Sequence, residues 1–243
     1  MKFKELLRHC LINFRNPYAI STLKYLSKLS NKPLLLSDLA VTRVLGLDDV
    51  ETILDVGSGE GIHADRFLEA GKIVTCIDYG KSIYFEKKSQ NKKAIIGDYS
   101  NYQFDKKFDL VWLSHVLEHQ TSPGQFLDKC FQDVKPGGYI VVSVPPRKEM
   151  IVGGHVSFFN PGILLYQLIL AGFDCSRAEI CCYGYNISVI ARKTNNSINK
   201  AELSYDAGDI SKIRNLLPNN LSYVHHTKDI SFNGRIKEYN WQY

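Results

Sequence analysis

The sequence predicts an α/β protein with a doubly wound, mostly parallel sheet of seven strands. Between residues 51 and 171, five apolar runs alternate with stretches of helical periodicity. These runs are continuously apolar, as is typical of parallel strands that are covered by helices on both faces. Two later runs are separated by a turn around Gly184 that is too short for a crossover, so they pair antiparallel as an edge hairpin. With 243 residues, 44% of them hydrophobic, the chain can bury a sizeable core.

Each element is predicted from its own local pattern. The apolar runs TILDV, KIVTCID, KAIIG, FDLVWLS and GYIVVSV predict strands at residues 52–56, 72–78, 93–97, 108–114 and 138–144. The edge hairpin is predicted at 178–183 and 186–192. Apolar residues at helical spacing predict helices at 61–70, 81–90, 123–134 and 161–171. Gly71, Pro136 and Gly172 stand where the helices end, in agreement with their tendency to terminate helices.

The chain divides into three predicted parts. Residues 1–50 form a helical N-terminal segment that caps the domain, with breaks at Pro17 and Pro33. Residues 51–193 form the sheet domain, and residues 194–243 form a C-terminal extension. The extension has no clear period, but it starts with a linker and can end in a strand or hairpin over 232–243.

Positive charge is concentrated at the N-terminus. The net charge is +5, and within residues 1–32 lysine and arginine outnumber acidic residues seven to one. Phe3, Leu7, Leu11 and Phe14 recur at helical spacing, so the segment is amphipathic. We favour a helix packed on the domain with a solvated basic face. The alternative is an arm that lies near an anionic substrate or makes peripheral contact with an anionic membrane surface.

Composition favours a cytoplasmic protein without a membrane span. No stretch of about 18 consecutive apolar residues is present. The first residues lack the apolar core and cleavage site of a signal peptide. The six cysteines form no CxxC pair, so we expect reduced thiols and neither a disulfide framework nor a zinc site.

A glycine loop joins the first predicted strand to the first helix of the sheet domain. The loop and the acid before it comprise Asp55, Gly57, Ser58, Gly59 and Gly61. In open α/β sheets, ligands bind outside the carboxyl ends of the strands. Ile62-His63 replaces the Lys-Ser/Thr pair of a nucleoside-triphosphate loop, and Ile62 replaces the third glycine of a dinucleotide loop. Since Glu60 also adds negative charge there, the loop suits a ligand without phosphates.

Acidic residues also end the next two predicted strands. Asp78, followed by Tyr79, can accept both hydroxyls of a ribose. Asp98 can accept the amino group of an adenine, with Tyr99 beside the ring. Three acids at the ends of three successive strands, next to a glycine loop, fit a nucleoside that carries a cationic amino acid tail.

The motifs ILDVGSGEGIHADRFLEAG, CID, GDY, FDLVWLSHVLEH and DVKPGGYIVVSVPP resemble those of class I S-adenosylmethionine-dependent methyltransferases, which have a Rossmann-like fold. Within that family the likeness is greatest to the small-molecule branch of type 11 or 23, which includes ubiquinone-biosynthesis-type and glycan-modifying enzymes. It covers residues 50–193 and implies S-adenosylmethionine as cofactor, with S-adenosylhomocysteine as product. It implies that the loop residues Gly57 to Gly61 line the cofactor and that Asp78 binds the ribose. It also implies that Asp98 and Tyr99 flank the adenine, and that Ser114 and His115 approach the methionine part.

Methyl transfer to a hydroxyl needs alignment and a base near the acceptor. Histidine is suited to that role, because its ordinary pKa of about 6.5 leaves it neutral and basic near pH 7. We predict His155 or His119 as the base, with Glu118 beside His119. The alternative is that Glu118 and His119 only brace the following loop. A divalent metal held by Glu118 and His119 is weighed but not favoured, and SHVLEH is not the HExxH motif of zinc proteases.

The acceptor is inferred from the segment VGGHVSFFNPG, in which Phe158 and Phe159 are expected to wall a pocket. This segment resembles the one that covers the acceptor in glycan- and lipid-related methyltransferases. The resemblance implies O-methylation of a sugar in surface polysaccharide, nucleotide-sugar or lipid-linked glycan biosynthesis. One alternative is a quinone-like or other small metabolite, and another is a non-catalytic cofactor-binding partner subunit. A nucleic acid acceptor is disfavoured, since no NPPY-like motif follows the fourth strand and the sequence shows no aromatic-rich basic groove.

Overall fold

The computed structural model describes residues 36–86, 94–194, 198–219, 226–227, 231–232 and 240. Strands β1 to β7 are Thr52–Val56, Ile73–Asp78, Ala94–Ile96, Phe108–Ser114, Val134–Val144, Glu179–Tyr183 and Asn186–Arg192. Helices α1 to α6 are Asp38–Leu45, Ile62–Glu69, Ile83–Glu86, Pro123–Asp133, Pro161–Leu170 and Asp209–Ile213. Short 3₁₀ turns lie at Tyr99–Asn101, Leu117–His119, Lys200–Glu202 and Arg214–Leu216. The segments His226–Thr227 (β8) and Ser231–Phe232 (β9) pair antiparallel.

The seven strands form one sheet in the order β3-β2-β1-β4-β5-β7-β6. The pairs among β1 to β5 are parallel, whereas β7 is antiparallel to both β5 and β6. The predicted mostly parallel, Rossmann-like sheet with an antiparallel edge pair is therefore confirmed. The direction of strand succession reverses between β1 and β4, so the carboxyl ends of these two strands flank the crevice where such sheets bind ligands.

Both faces of the sheet are buried, as the continuous apolar strands predict. In β1, Leu54 and Val56 belong to the core on the face covered by α4 and α5, and Ile53 belongs to the core covered by α1. Trp112 of β4 is fully buried on the α1 face, with its ring edge-on to Phe67 of α2 at a centroid distance of 5.1 Å. Alternate residues of each strand thus serve opposite layers.

Strand β5 starts earlier than predicted. It begins at Val134 and includes the Pro-Gly-Gly segment that was expected to separate a helix from a strand. Val134 pairs with Phe108, and after a register shift Tyr139 pairs with Leu110. At Gly138 an added Cβ would lie 2.7 Å from the carbonyl oxygen of Asp109. A glycine therefore allows the irregular ladder to continue where it would otherwise break.

The described part of the N-terminal segment packs against the edge hairpin. Arg43 of α1 makes a bidentate ion pair with Glu179 of β6, with N–O distances of 2.7 and 2.6 Å. The amphipathic basic pattern at 1–32 lies outside the described residues, and so does the second half of the helix predicted at 81–90. Among the residues that the structure describes, no helix is long and apolar enough to cross a membrane.

Candidate active site

The glycine loop between β1 and α2 has a left-handed backbone. Gly57, Gly59 and Gly61 have φ values of 69°, 51° and 74°. Glycine adopts this conformation readily, because it has no Cβ. At Gly57 an added Cβ would also lie 2.4 Å from Cγ2 of Val116, which follows β4. The glycines thus allow both the turn and its close approach to the end of β4.

Asp78 closes the loop onto the end of β2. Its carboxylate is 7% exposed and accepts the N–H of Gly59 at Oδ2 and the N–H of Gly80 at Oδ1, both at 2.8 Å. Each oxygen keeps a second lone pair, so ribose binding by Asp78 stays a prediction compatible with these bonds. Tyr79 is exposed beside it, with Nζ of Lys81 4.8 Å from its ring centre. Asp55 is buried in β1 beneath the loop.

The end of β3 places Asp98 and Tyr99 in different surroundings. The Asp98 carboxylate is exposed and caps the 3₁₀ turn by accepting the N–H of Ser100 and an amide hydrogen of Asn101. The Tyr99 ring is only 5% exposed and lies in the core, where its hydroxyl donates to Asp133 at 2.7 Å. Asp98 therefore remains available to an adenine. The Tyr99 ring leaves little surface for one, because the 3₁₀ turn directs it towards α4.

The segment after β4 brings Ser114 and His115 to the crevice. His115 has a φ of 56°, which is uncommon for a residue with a side chain. Its Nδ1 lies 3.3 Å from Oε1 of Glu118, and its Nε2 lies 2.9 Å from Oδ1 of Asn186. Burial lowers the pKa of His115, but the hydrogen bonds with Glu118 and Asn186 outweigh burial, and the net effect is a raised pKa.

Glu118 is a buried carboxylate at the centre of this segment. Its side chain is 1% exposed, and Oε2 has no hydrogen-bond partner within the described part of the chain. Oε1 faces Nδ1 of His115 and also lies 3.9 Å from Nε2 of His119. Buried carboxylates usually have partners, so this one is arranged for something that approaches from the crevice or for the two imidazoles.

His119 is oriented by a backbone carbonyl. Its Nδ1 lies 2.7 Å from the oxygen of Gly154, and a carbonyl only accepts, so Nδ1 carries the hydrogen. In the neutral ring Nε2 then has the free lone pair. His155 lies edge-on to His119, with ring centres 5.0 Å apart, and burial lowers its pKa. One ligand atom from each of Glu118, His119 and His155 lies within 4.8 Å of the others, so this trio could also hold a metal ion.

The loop after β5 is docked on the same segment. The N–H groups of Val156 and Ser157 donate to the carbonyl of Glu118 at 2.9 and 3.0 Å, which brings His155 to His119 across 36 residues of sequence. Phe158 is exposed near the crevice. Phe159 is 3% exposed and forms a bridge with Pro146, so it packs in the core and does not wall the pocket as expected.

Two site neighbours were missed by the sequence reasoning. Ser37, just before α1, has a φ of 63° and is fully buried, and its Oγ lies 2.8 Å from Oγ of Ser114. Asn186 at the start of β7 contacts both Ser37 and His115. Neither residue stands in a motif, so only the tertiary structure reveals them. A buried asparagine opening a strand is a weak signal on its own.

The donor set fits S-adenosylmethionine. Three glycines with positive φ expose the loop backbone, and a buried carboxylate, Asp78, stands beside them. Asp98 lies exposed at the adjoining strand end, and Ser114 is half-buried at the end of β4. This arrangement offers acidic acceptors for hydroxyl and amino groups. No Lys-Ser/Thr pair follows the loop to bind phosphates.

Comparisons with known proteins point to a methyltransferase domain. Residues 54–142 match the Methyltransf_11 family model, described as a methyltransferase domain. A Mycolicibacterium smegmatis protein named "Probable S-adenosylmethionine-dependent methyltransferase" is 25% identical over 167 residues, which are 65% of each protein. A Pseudomonas paraeruginosa ubiquinone biosynthesis O-methyltransferase is 30% identical over 105 residues, 40% of this chain and 45% of that protein. The chain thus spans less than two thirds of the length of these relatives.

A solved structure shares the fold. The Burkholderia thailandensis 1,6-didemethyltoxoflavin-N1-methyltransferase, with bound 1,6-didemethyltoxoflavin and S-adenosylhomocysteine, superposes with a TM-score of 0.52 and 21% identity. The match covers 65% of this chain and 76% of that one. Residues 54–142 thus match a methyltransferase domain, and the chain shares the fold of this solved methyltransferase.

Proposed function

We propose that this protein transfers a methyl group from S-adenosylmethionine to a hydroxyl oxygen of a small molecule. The observation that carries the proposal is the cluster of Glu118 and His119, which follow β4, with His155 from the loop after β5. Such a cluster offers a base for the hydroxyl proton on the side of the crevice away from the glycine loop. S-adenosylmethionine, when bound, supplies the methyl group already activated as a sulfonium.

His119 is the proposed base. The Gly154 carbonyl holds its Nδ1–H, so Nε2 is left as the proton acceptor. Oε1 of Glu118, 3.9 Å away, stabilises the imidazolium that forms when Nε2 takes the proton. Within the described residues, His155 is hydrogen-bonded through its backbone N–H, to Val152, and its ring lies edge-on to His119. We therefore assign His155 to contact with the acceptor rather than to proton removal.

The acceptor is proposed to have an apolar body. The loop after β5 exposes Met150, Ile151, Val156 and Phe158, and Ile151 is 91% exposed. An apolar rim beside the histidines suits a quinone-like or aromatic hydroxyl better than a polyhydroxylated sugar. The relative from Pseudomonas paraeruginosa named for ubiquinone biosynthesis supports this choice. A sugar of a surface glycan or nucleotide sugar, the acceptor first inferred from the sequence, becomes the second arm of the test.

The proposed compartment is the cytoplasm. Cys130, Cys175 and Cys181, which lie within the described residues, are free thiols. Burial raises the pKa of Cys182 to about 11 and that of Cys130 to about 12. Inert, reduced thiols are typical of a reducing compartment.

Calorimetry with S-adenosylmethionine tests the proposal first. We expect saturable binding, and an absence of heat at millimolar cofactor would refute it. Methyl transfer from labelled cofactor is then assayed with a catechol-type acceptor and with a nucleotide sugar. Binding without transfer to either class would favour the non-catalytic partner subunit.

Variants of the two histidines test the assignment of the base. His119→Ala should lower kcat by about 100-fold or more, the usual contribution of a positioned base. His155→Ala should mainly raise the KM of the acceptor. The cofactor Kd should stay within about twofold of wild type in both variants. Equal losses of kcat in the two variants would overturn the choice of His119.

A further inference from the structure

Asn186 is a buried side chain that joins three separate segments. It opens β7, outside the residues matched by the family model, and is 7% exposed. Its Oδ1 accepts the N–H of Ser37 at 3.1 Å and lies 2.9 Å from Nε2 of His115. Its Nδ2 donates to the carbonyl of Tyr183 at 3.3 Å. The side chain therefore connects the N-terminal segment, the end of β4 and the edge hairpin.

These partners require that Nε2 of His115 carries a hydrogen. The N–H of Ser37 only donates and the carbonyl of Tyr183 only accepts, so the oxygen of the Asn186 amide must face His115. Nε2 of His115 is then the donor. Nδ1 lies 3.3 Å from Oε1 of Glu118, and because a carboxylate only accepts, a bond between these two atoms needs a second hydrogen on Nδ1.

The other contacts of His115 hold the ring in place but do not determine which ring nitrogen carries a hydrogen. The His115 N–H donates to the carbonyl of Ser143 at 2.9 Å. The Tyr185 ring stacks on the imidazole at a centroid distance of 5.9 Å and an interplanar angle of 19°. Lys148 covers Tyr185, with Nζ 4.2 Å from its ring centre. Within the described residues, the ring nitrogens face the side chains of Asn186, at 2.9 Å, and Glu118, at 3.3 Å.

Residues 36–37, which we call the strap, meet the same side chain. The carbonyl oxygen of Leu36 lies 2.7 Å from Nε2 of His63, near the start of α2. Ser37 bonds to Ser114 through its hydroxyl and to Asn186 through its N–H. The strap therefore crosses from the glycine-loop helix to the end of β4, and Asn186 joins it to His115.

We propose that Asn186 is a positioning residue for methyl transfer. It accepts a hydrogen from Nε2 of His115, keeps Nδ1 facing Glu118, and holds the strap beside Ser114. The proposal rests on the proposed function, because it matters for catalysis through Glu118, the neighbour of the base. Asn186 itself lies behind His115 and acts through that ring. Supporting residues of this kind commonly change activity 10- to 100-fold when they are replaced, as in metal sites.

NMR on the full, isotope-labelled chain tests the placement of the hydrogen without an activity assay. The Nε2-bound proton of His115 should exchange slowly in wild type, because it is bonded and partly buried. Its signal is identified by its loss in His115→Gln. In Asn186→Leu, which keeps the size but removes the acceptor, the slow proton should disappear. In Asn186→Asp it should return, since a carboxylate can accept from both Ser37 and His115.

Kinetics separate positioning from simple loss of packing. Asn186→Leu should lower kcat about tenfold or more, and Asn186→Asp should restore a large part of it. The matched control is Ser188→Ala on the same strand, which removes bonds to Ser143 and Tyr183 but none to His115. We expect this control to stay within about twofold of the wild-type kcat.

Two results would overturn the proposal. One is a slow His115 proton that persists in Asn186→Leu, and the other is an equal kcat loss in Asn186→Leu and Ser188→Ala. If wild type methylates no acceptor, the proposed function fails, and the NMR arm still decides whether Asn186 holds His115.

Discussion

The two sides of the crevice are built in different ways. On the donor side, between β1 and β3, the backbone dominates: the loop glycines have positive φ, and the N–H of Gly59 donates to the Asp78 carboxylate. On the acceptor side, side chains dominate, and they meet only through contacts between distant segments. His119 is oriented by Gly154, and His115 by Asn186, which is 71 residues away.

This difference predicts which side of the crevice tolerates substitutions. A backbone site fails when a glycine gains a Cβ or when the carboxylate behind it is lost, whatever the acceptor. A side-chain site can be retuned by replacing one loop, while the donor side stays intact. We therefore expect donor-side changes to abolish cofactor binding and acceptor-side changes to spare it.

Gly57→Ala should have the largest effect. The new Cβ would lie 2.4 Å from Val116 and would require a φ of 69°. Strain and overpacking together should lower the free energy of unfolding by about 2–4 kcal/mol. Cofactor binding in calorimetry should become undetectable. The matched control is Gly71→Ala, which has a φ of 81° but nothing within 4 Å of the added Cβ. A cofactor Kd near wild type in both variants would contradict a backbone-built donor side.

Asp78→Ala should come next. It removes the acceptor of the N–H groups of Gly59 and Gly80 and, under the ribose assignment, two bonds to the cofactor. The Kd measured by calorimetry should rise about 100-fold or more, since each lost bond to a charged group costs roughly 1.5–3 kcal/mol. Asp98→Ala, whose carboxylate mainly serves its own exposed turn, should raise Kd much less. The reverse order would show that the two acids have been assigned wrongly.

Glu118→Gln probes the acceptor side and should leave the cofactor Kd within about twofold. It keeps the shape of the side chain but removes the charge that faces His115 and His119. We expect kcat to fall about tenfold to 100-fold, because an imidazolium at His119 would lose its counter-charge. A chelator should leave wild-type kcat unchanged if the trio of Glu118, His119 and His155 works without metal. Loss of activity with chelator, restored by a divalent ion, would replace the base mechanism by a metal site.

Much of the fold was predictable, because each element is encoded locally. The runs at 52–56, 108–114 and 186–192 match β1, β4 and β7 residue for residue, since strands covered on both faces are largely apolar along their length. The start of β5 was not predictable, because Pro-Gly-Gly is a strong turn signal and only pairing with Phe108 extends the strand. Helix α6 has five residues, too few to show a period.

The site was predictable to the extent that its motifs are contiguous. Glu118 and His119 are neighbours in sequence. His155 can reach them because the loops after the adjacent strands β4 and β5 lie side by side. Tyr99 shows the opposite case: a tyrosine after a strand end can face a ligand or the core, and packing against Phe126 and Asp133 decides for the core. Ser37 and Asn186 stand in no motif, so their roles depend on three-dimensional contacts alone.

The smallest effect expected concerns His63, which ties the strap to the donor side. Burial lowers its pKa to about 4, against an ordinary value of 6.5, although the bond to Leu36 opposes the shift. The folded protein therefore binds fewer protons than the unfolded chain between these values. The stabilisation from neutral His63 is complete above pH 6.5 and is lost as the pH falls towards 4.

Urea unfolding at pH 7, 5.5 and 4.5 measures this dependence. His63→Gln keeps a donor for Leu36 but cannot gain a proton, so its stability should decline less with acid. Since the ring is partly exposed, we expect the difference in unfolding free energy between wild type and variant to change by about 2 kcal/mol at most across this range. His155→Gln, at a ring with more solvent contact, should follow wild type. If the stability of wild type and of His63→Gln declined equally with acid, the strap would not bury this imidazole in solution. The N-terminal segment would then not connect the donor side to the acceptor side.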